Sequence, residues 1–222
     1  ENETGYKNLM YLCSEGFTRG FYYRPRIDYK LLKEHHEGLI CLSACLSGDL
    51  PKMLLDGRIA EAERYCYQMK ESFGEDHCYI EIMDHGLAEE KMVLPRLKQL
   101  SRETGVPLAA TNDCHYLHRE DAQAQEVLMC IQTGKTLQDE TRMRMETQEM
   151  YIKSENEMRI LFQDCPEALD NTQKIADMCH VDFDFSQLHL PHYPITTGET
   201  ALEMLSRLCL EGLRKRYPDQ AD

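Results

Sequence analysis

The chain has no apolar run approaching the ~18 to 20 residues that a membrane-spanning helix needs. Its first residues, ENETGYKNLM, lack both the basic start and the apolar stretch of a secretion signal. These absences point to a cytoplasmic protein with no membrane partner. The chain is also short of positive charge: 25 Lys and Arg face 39 Asp and Glu, for a formal net charge of −14. A surface built to neutralise phosphates is basic, so the chain by itself is expected to bind DNA weakly or not at all. No C-x-x-C pair occurs among its 10 cysteines. They are spread singly, as at Cys13, Cys66, Cys130 and Cys209, which fits a reducing cytosol and mostly buried, inert thiols. GxxxxGK[ST], GxGxxG, GxSxG and HExxH are all missing, so nucleotide cradles and serine-hydrolase elbows have no support. No internal repeat or low-complexity tract is present. The chain begins with Glu1 rather than Met, which suggests a piece of something longer.

What is present is an ordinary soluble composition, 42% hydrophobic and 29% charged over 222 residues, enough for one large domain or one domain and part of another. Short apolar runs alternate with helical patterns. "GLICLSA" (38–44), "CYIEIMD" (78–84) and "VPLAAT" (106–111) read as strands, the first as one buried on both faces. Residues 5–15, 28–35, 58–73 and 87–103 read as helices. Strand, helix, strand, helix, strand is the pattern of parallel βαβ units with right-handed crossovers. After residue 118 the chain turns helical, over 119–133. Capping boxes then follow at Ser154 with Glu157 and at Thr200 with Glu203, and Pro166 suits the first turn of a helix running to about Met178. "TLQDETRMRMETQEM" and "FDFSQLHLPHYPITTGE" read as irregular stretches, with "RMRM" a solvated loop.

In parallel α/β folds chemistry sits just past the C-terminal ends of strands. Cys45 follows the first strand, and "NDCHYLH" follows the third. If the extended conformation persists past Thr111, Asp113 and His115 point the same way and offer a carboxylate and an imidazole to one ion. An isolated D-x-H triplet is weak, since this composition yields about 0.6 of them by chance. A lone cysteine after an apolar strand is usually core filler. Glu81, Asp84 and His85 in "EIMDHG" are secondary candidates, as ligands, as partners of ligands or as a turn. His189 and His192, flanking Pro191, read as structural.

The strings "NETGYKNLM", "EGLICLSACLSGDL", "YIEIMDHGL", "GVPLAATNDCHYLHREDAQAQEVLMCIQTGKTL", "MYIKSENEM" and "CPEALDNTQKIADMC" together resemble the alpha subunits of bacterial DNA polymerase III. The resemblance covers nearly the whole chain in order. It implies the later part of a PHP (polymerase and histidinol phosphatase) domain, a distorted (βα) barrel holding up to three metal ions at its strand ends. On that basis the fold is α/β, an incomplete PHP-type barrel with parallel strands and a mostly helical C-terminal part. Residues 1–118 correspond to the barrel, 119–195 to the helical remainder, and 196–222 to the start of the connection to the polymerase core. The family's cysteine ligand falls on Cys45, and its late aspartate-x-histidine pair on Asp113 and His115. The implied cofactors are divalent ions, zinc, manganese or magnesium. The implied partners are DNA, deoxynucleotides and other replisome subunits.

The family's early ligands, a His-x-His pair among them, precede the segment that matches Asn2–Tyr6, and its polymerase aspartates lie beyond residue 222. The expectation is therefore a piece of a DNA-directed DNA polymerase carrying part of a 3′–5′ exonuclease-like metal site, inactive alone. Two alternatives differ in class. One is a structural module for replisome assembly, and the other is a small cytosolic metal-dependent hydrolase.

Overall fold

The structure is a computed structural model that describes residues 1–218. It divides into a unit over Glu1–Asp182 and a second unit beginning at Phe183. In the first unit, α1 (Glu3–Thr18) and α2 (Tyr29–Glu34) lead to β1 (Cys41–Leu42), then α3 (Asp49–Leu55), α4 (Ile59–Phe73) and β2 (Cys78–Ile82). α5 (Ala88–Thr104) and β3 (Leu108–Ala110) complete the alternation. A 3-10 turn (Arg119–Asp121) precedes α6 (Ala122–Thr133), α7 (Glu155–Leu161) and α8 (Glu167–Met178). The three strands form one parallel sheet in the order β1-β2-β3, with Cys41 opposite Cys78 and Ile80 opposite Leu108. This is the α/β, parallel-stranded architecture expected, and among the described residues the sheet does not close into a full barrel.

The core follows from helical spacing. α4 buries Ala62, Cys66, Met69 and Phe73, and α5 buries Val93, Leu97, Leu100 and Thr104, each a three-and-four-residue stripe turned to the sheet. Between them lie Ile80 and Ile82 of β2, and Val106 and Leu108 at β3. α5 stops at Gly105, whose φ of 70° is the left-handed cap that an L side chain resists. α8 covers the free side of β3: the buried Asn171 donates from Nδ2 to the Leu108 carbonyl at 2.8 Å, filling an edge acceptor that no strand reaches.

Three expectations change. β1 is two residues long and only half-buried, not an inner strand, because among the described residues it pairs with β2 alone and its chain turns at Ala44, where φ is 65°. Just before β1, Gly5 of α1 sits against Gly38, where a Cβ would fall 1.9 Å from the Gly38 carbonyl oxygen, so backbone packs on backbone. Residues 49–55, given no element from the sequence, form α3, with Pro51 in the first turn, where its missing N–H costs nothing. Of the cysteines, only Cys66, Cys78, Cys130 and Cys165 are buried; Cys13, Cys114, Cys179 and Cys209 are exposed.

The second unit holds α9 (Ala201–Arg216), opened by the Thr200–Glu203 capping box and tied by Arg207 to Glu199 at 2.8 Å and to Glu211 at 3.1 Å. The last four residues of the 196–222 segment lie outside the described residues.

Candidate functional site

Because the strands are parallel, their C-terminal ends bring three loops to one edge of the sheet. Glu81, the inner strand's last polar residue, stitches them together. Its Oε2 accepts the Ala44 N–H at 3.0 Å after β1, and its Oε1 accepts the Thr111 hydroxyl at 2.6 Å after β3. The Glu81 N–H in turn donates to Ser43 Oγ at 2.9 Å. Cys45 lies on the β1 side and lines a small hollow with Glu81, Met83 and Glu90.

His85, in the loop after β2, is 2% exposed and Glu90, at the start of α5, is 5% exposed. The Glu90 carboxylate takes the His85 ring Nδ1–H at 2.6 Å, the His85 backbone N–H at 2.7 Å and the Leu87 N–H at 3.3 Å. Burial pushes the Glu90 carboxyl up, but the bonds from His85 and Leu87 outweigh it and hold the group below its ordinary range. With Nδ1–H given to Glu90, His85 Nε2 keeps a lone pair, and it accepts the Asp113 backbone N–H at 3.2 Å. A buried carboxylate thus sets an imidazole, and the imidazole sets the backbone of the aspartate loop.

Asp113 and His115 do come together, though not through strand alternation, since β3 ends at Ala110. His115 folds back so that its Nδ1–H donates to the Asp113 carbonyl at 2.9 Å, with Asp113 Oδ1 at 3.8 Å. A carbonyl oxygen only accepts, so the proton is on Nδ1 and the Nε2 lone pair is free to bind a ligand.

The stretch 147–153 clamps this loop. Thr147 Oγ1 donates to the His85 carbonyl at 2.8 Å, and the His115 N–H donates to the Met150 carbonyl at 2.8 Å. Asn112 Nδ2 donates to the Tyr151 carbonyl at 2.6 Å, and Tyr116 and Tyr151 form a parallel bridge. The Lys153 ammonium, its side chain 4% exposed, reaches Asn112 Oδ1 at 3.2 Å and the Glu149 carboxylate at 3.5 Å, with the Tyr151 ring 4.3 Å away. "RMRM" is likewise not simply solvated: the largely buried Arg142 pairs with Glu126 at 3.0 Å.

A carboxylate beside an imidazole with a free Nε2 suits a divalent ion, and a thiol suits zinc. Two donors do not close a coordination shell, however. Among the described residues no group of three or more His, Cys, Asp or Glu is placed to hold a metal ion. The edge therefore offers a pair, Asp113 with His115, and Cys45 at the end of the far strand. Of the secondary candidates, Glu81 and His85 are engaged in bonds to the loops, and Asp84 forms a local turn to the Gly86 N–H at 3.0 Å. Sequence reasoning missed Glu90 and the clamp; a histidine five residues before a helix-opening glutamate was the available signal for the first.

Residues 1–85 match the PHP domain family. Over nearly its whole length the chain is similar to proteins named DNA polymerase III subunit alpha. The one from Borreliella burgdorferi is 49% identical, covering 98% of this chain and 19% of the relative. Those from Treponema pallidum and Thermus aquaticus are 46% and 42% identical, covering 98% of this chain and 19% and 18% of the relatives. The chain thus spans about a fifth of the length of the curated relatives it matches.

Proposed function

Because the chain belongs to the family of DNA polymerase III alpha subunits, we propose that it serves DNA-directed DNA synthesis in the cytoplasm as the PHP part of a longer polymerase subunit. Its strand-end edge contributes Cys45, Asp113 and His115 to a divalent-metal site for phosphoester hydrolysis at a DNA 3′ end. The observation that supports the metal reading is His115: its Nδ1–H is committed to the Asp113 carbonyl, which leaves Nε2 and the adjacent carboxylate as two donors. The chemistry a divalent ion supplies at such an edge is a water of lowered pKa and a counter-charge for phosphate oxygens. The chain's own part is to orient. His85 and Met150 fix the Asp113–His115 backbone, and Glu81 holds the β1 and β3 loops at a set separation. The remaining ligands come from outside these residues, and the 222-residue chain alone is inactive.

The test is manganese binding followed by electron paramagnetic resonance on the complete subunit. Asp113→Ala and His115→Ala are each expected to weaken binding at least tenfold, the scale of losing one ligand or its orientation. Unchanged affinity in both would overturn the metal reading. A second reading, a structural module that positions the polymerase and its replisome partners, is supported by Glu81, His85 and Glu90, whose polar atoms are committed to holding the strand-end loops together. It expects full polymerisation in these variants and no manganese at the edge.

A further inference from the structure

Between α1 and α2 the chain runs FTRGFYYRPRIDYK, residues 17–30, where four cations (Arg19, Arg24, Arg26, Lys30) stand against one anion (Asp28). In a chain of net charge −14 this is a local reversal of sign. The same stretch carries exposed rings at Phe17, Phe21, Tyr22, Tyr23 and Tyr29, with Tyr23 81% exposed. Contiguous exposed aromatics mark a surface built to be covered, and interleaved guanidiniums indicate by what. We propose that this loop is a stacking platform for single-stranded DNA.

The geometry suits that ligand. The Tyr22 and Tyr23 rings lie 4.5 Å apart at 72°, so they present differently facing surfaces, and the Arg26 guanidinium sits 5.2 Å from the Tyr22 ring centre. Among the described residues Arg24 and Arg26 have no acidic partner, whereas Arg19 is held by Glu15 at 3.3 Å. Two guanidiniums without an acidic partner, one of them over an exposed ring of an edge-to-face pair, match a phosphate–base repeat; an acidic protein segment would use the cations and leave the rings unexplained. A duplex hides the base faces these rings would meet.

The platform is braced. Gly20 lies against the Arg26 carbonyl, where a Cβ would fall at 1.9 Å, and the Tyr22 N–H donates to the Arg24 carbonyl at 3.1 Å. Tyr23 holds a φ of 60°, which is rare for an aromatic residue. The acidic remainder of the chain does not cancel the site, since at 0.15 M salt charges beyond about 8 Å are screened.

The choice of DNA over RNA rests on the proposed part in DNA synthesis; binding itself does not, and an oligo-rU arm separates failure of that choice from failure of the platform. The probe is fluorescent oligo-dT titrated into the 222-residue chain, with oligo-rU and a duplex as parallel arms. Expected are a dissociation constant in the range of about 10⁻⁴ to 10⁻⁶ M and a slope of log K against log salt of about −1.4 to −2.1, for two to three neutralised phosphates. Tyr22→Ala or Tyr23→Ala should weaken binding at least about fivefold. Arg24→Ala should flatten the slope by about 0.7, and Tyr193→Ala, an exposed ring of the second unit, should change nothing. No binding, or binding indifferent to Tyr22, Tyr23 and Arg24, would overturn the platform. Tighter binding of oligo-rU or of duplex would overturn its assignment to single-stranded DNA.

Discussion

At the scale of single residues, the buried Glu90 carboxylate carries the most consequence, because three N–H groups depend on it. Glu90→Ala leaves those donors unpaired in a dry site and is expected to cost about 3 kcal/mol, read as a drop in the urea midpoint. The pH response has a definite sign. Glu90 titrates below its ordinary 4.5 in the folded chain, so the folded state binds fewer protons than the unfolded one in that window. Its contribution is present above about pH 4.5 and is lost as pH falls through the depressed value. The acid side of a stability profile should therefore be shallower in Glu90→Gln; an unchanged profile would mean the carboxylate does not stay charged. The thiols divide in the same local way. Burial pushes Cys66 up to about 12 and Cys78 up to about 11, whereas Cys13, Cys114, Cys179 and Cys209 face solvent. A thiol reagent should label those four at once and reach Cys66 and Cys78 only as the sheet opens. None of this is visible in spacing alone, since Cys13 and Cys66 both sit on amphipathic helices and differ only in whether they lie on the buried face.

At the scale of elements, the joint between α8 and β3 makes the clearest prediction. Asn171→Ala removes the one side-chain donor to the Leu108 carbonyl and also the acceptor of Lys174 at 2.9 Å. A cost of about 1 to 3 kcal/mol is expected, with faster hydrogen exchange in β3 in the same variant; exchange unchanged at Leu108–Ala110 would show that α8 does not hold that edge. Local chemistry made several elements legible. The Ser154–Glu157 and Thr200–Glu203 boxes close as read, because a cap involves residues three apart. The parallel strands were legible because two intervening helices leave no room for hairpins. α3 was hidden because a Gly and a Pro at its start look like a turn, although both are tolerated in a first helical turn. The clamp at 147–153 was hidden for the opposite reason. Its bonds run to Asn112, His115 and His85, each at least 35 residues away, and they use mostly backbone carbonyls, which no sequence pattern marks. The Asp113–His115 pairing was anticipated, but through strand alternation; a side chain folding back on a carbonyl produces it instead.

At the scale of the whole molecule, one charge distribution should give two salt responses of opposite sign. The excess of 14 negative charges raises the energy of the folded chain through repulsion acting over long distances. Attraction, by contrast, is concentrated in contact pairs such as Lys98–Asp164 at 2.7 Å and Arg142–Glu126 at 3.0 Å. The screening length shrinks from about 30 Å at 0.01 M to about 8 Å at 0.15 M salt. That removes repulsion between distant carboxylates while leaving pairs in contact largely intact, and exposed pairs were worth only about 0 to 1 kcal/mol at the outset. Repulsion therefore loses more, and the thermal midpoint should rise by about 2 to 4 °C per kcal/mol of relief between those two salt concentrations. A falling midpoint would mean that the contact pairs, not the net charge, dominate. At the Phe17–Lys30 loop the sign reverses, because the local excess is positive and its ligand is a polyanion: the same added salt that steadies the fold should release oligo-dT. Measured on one preparation, a stability that rises and an affinity that falls over the same salt range would separate a local basic platform from the acidic molecule that carries it.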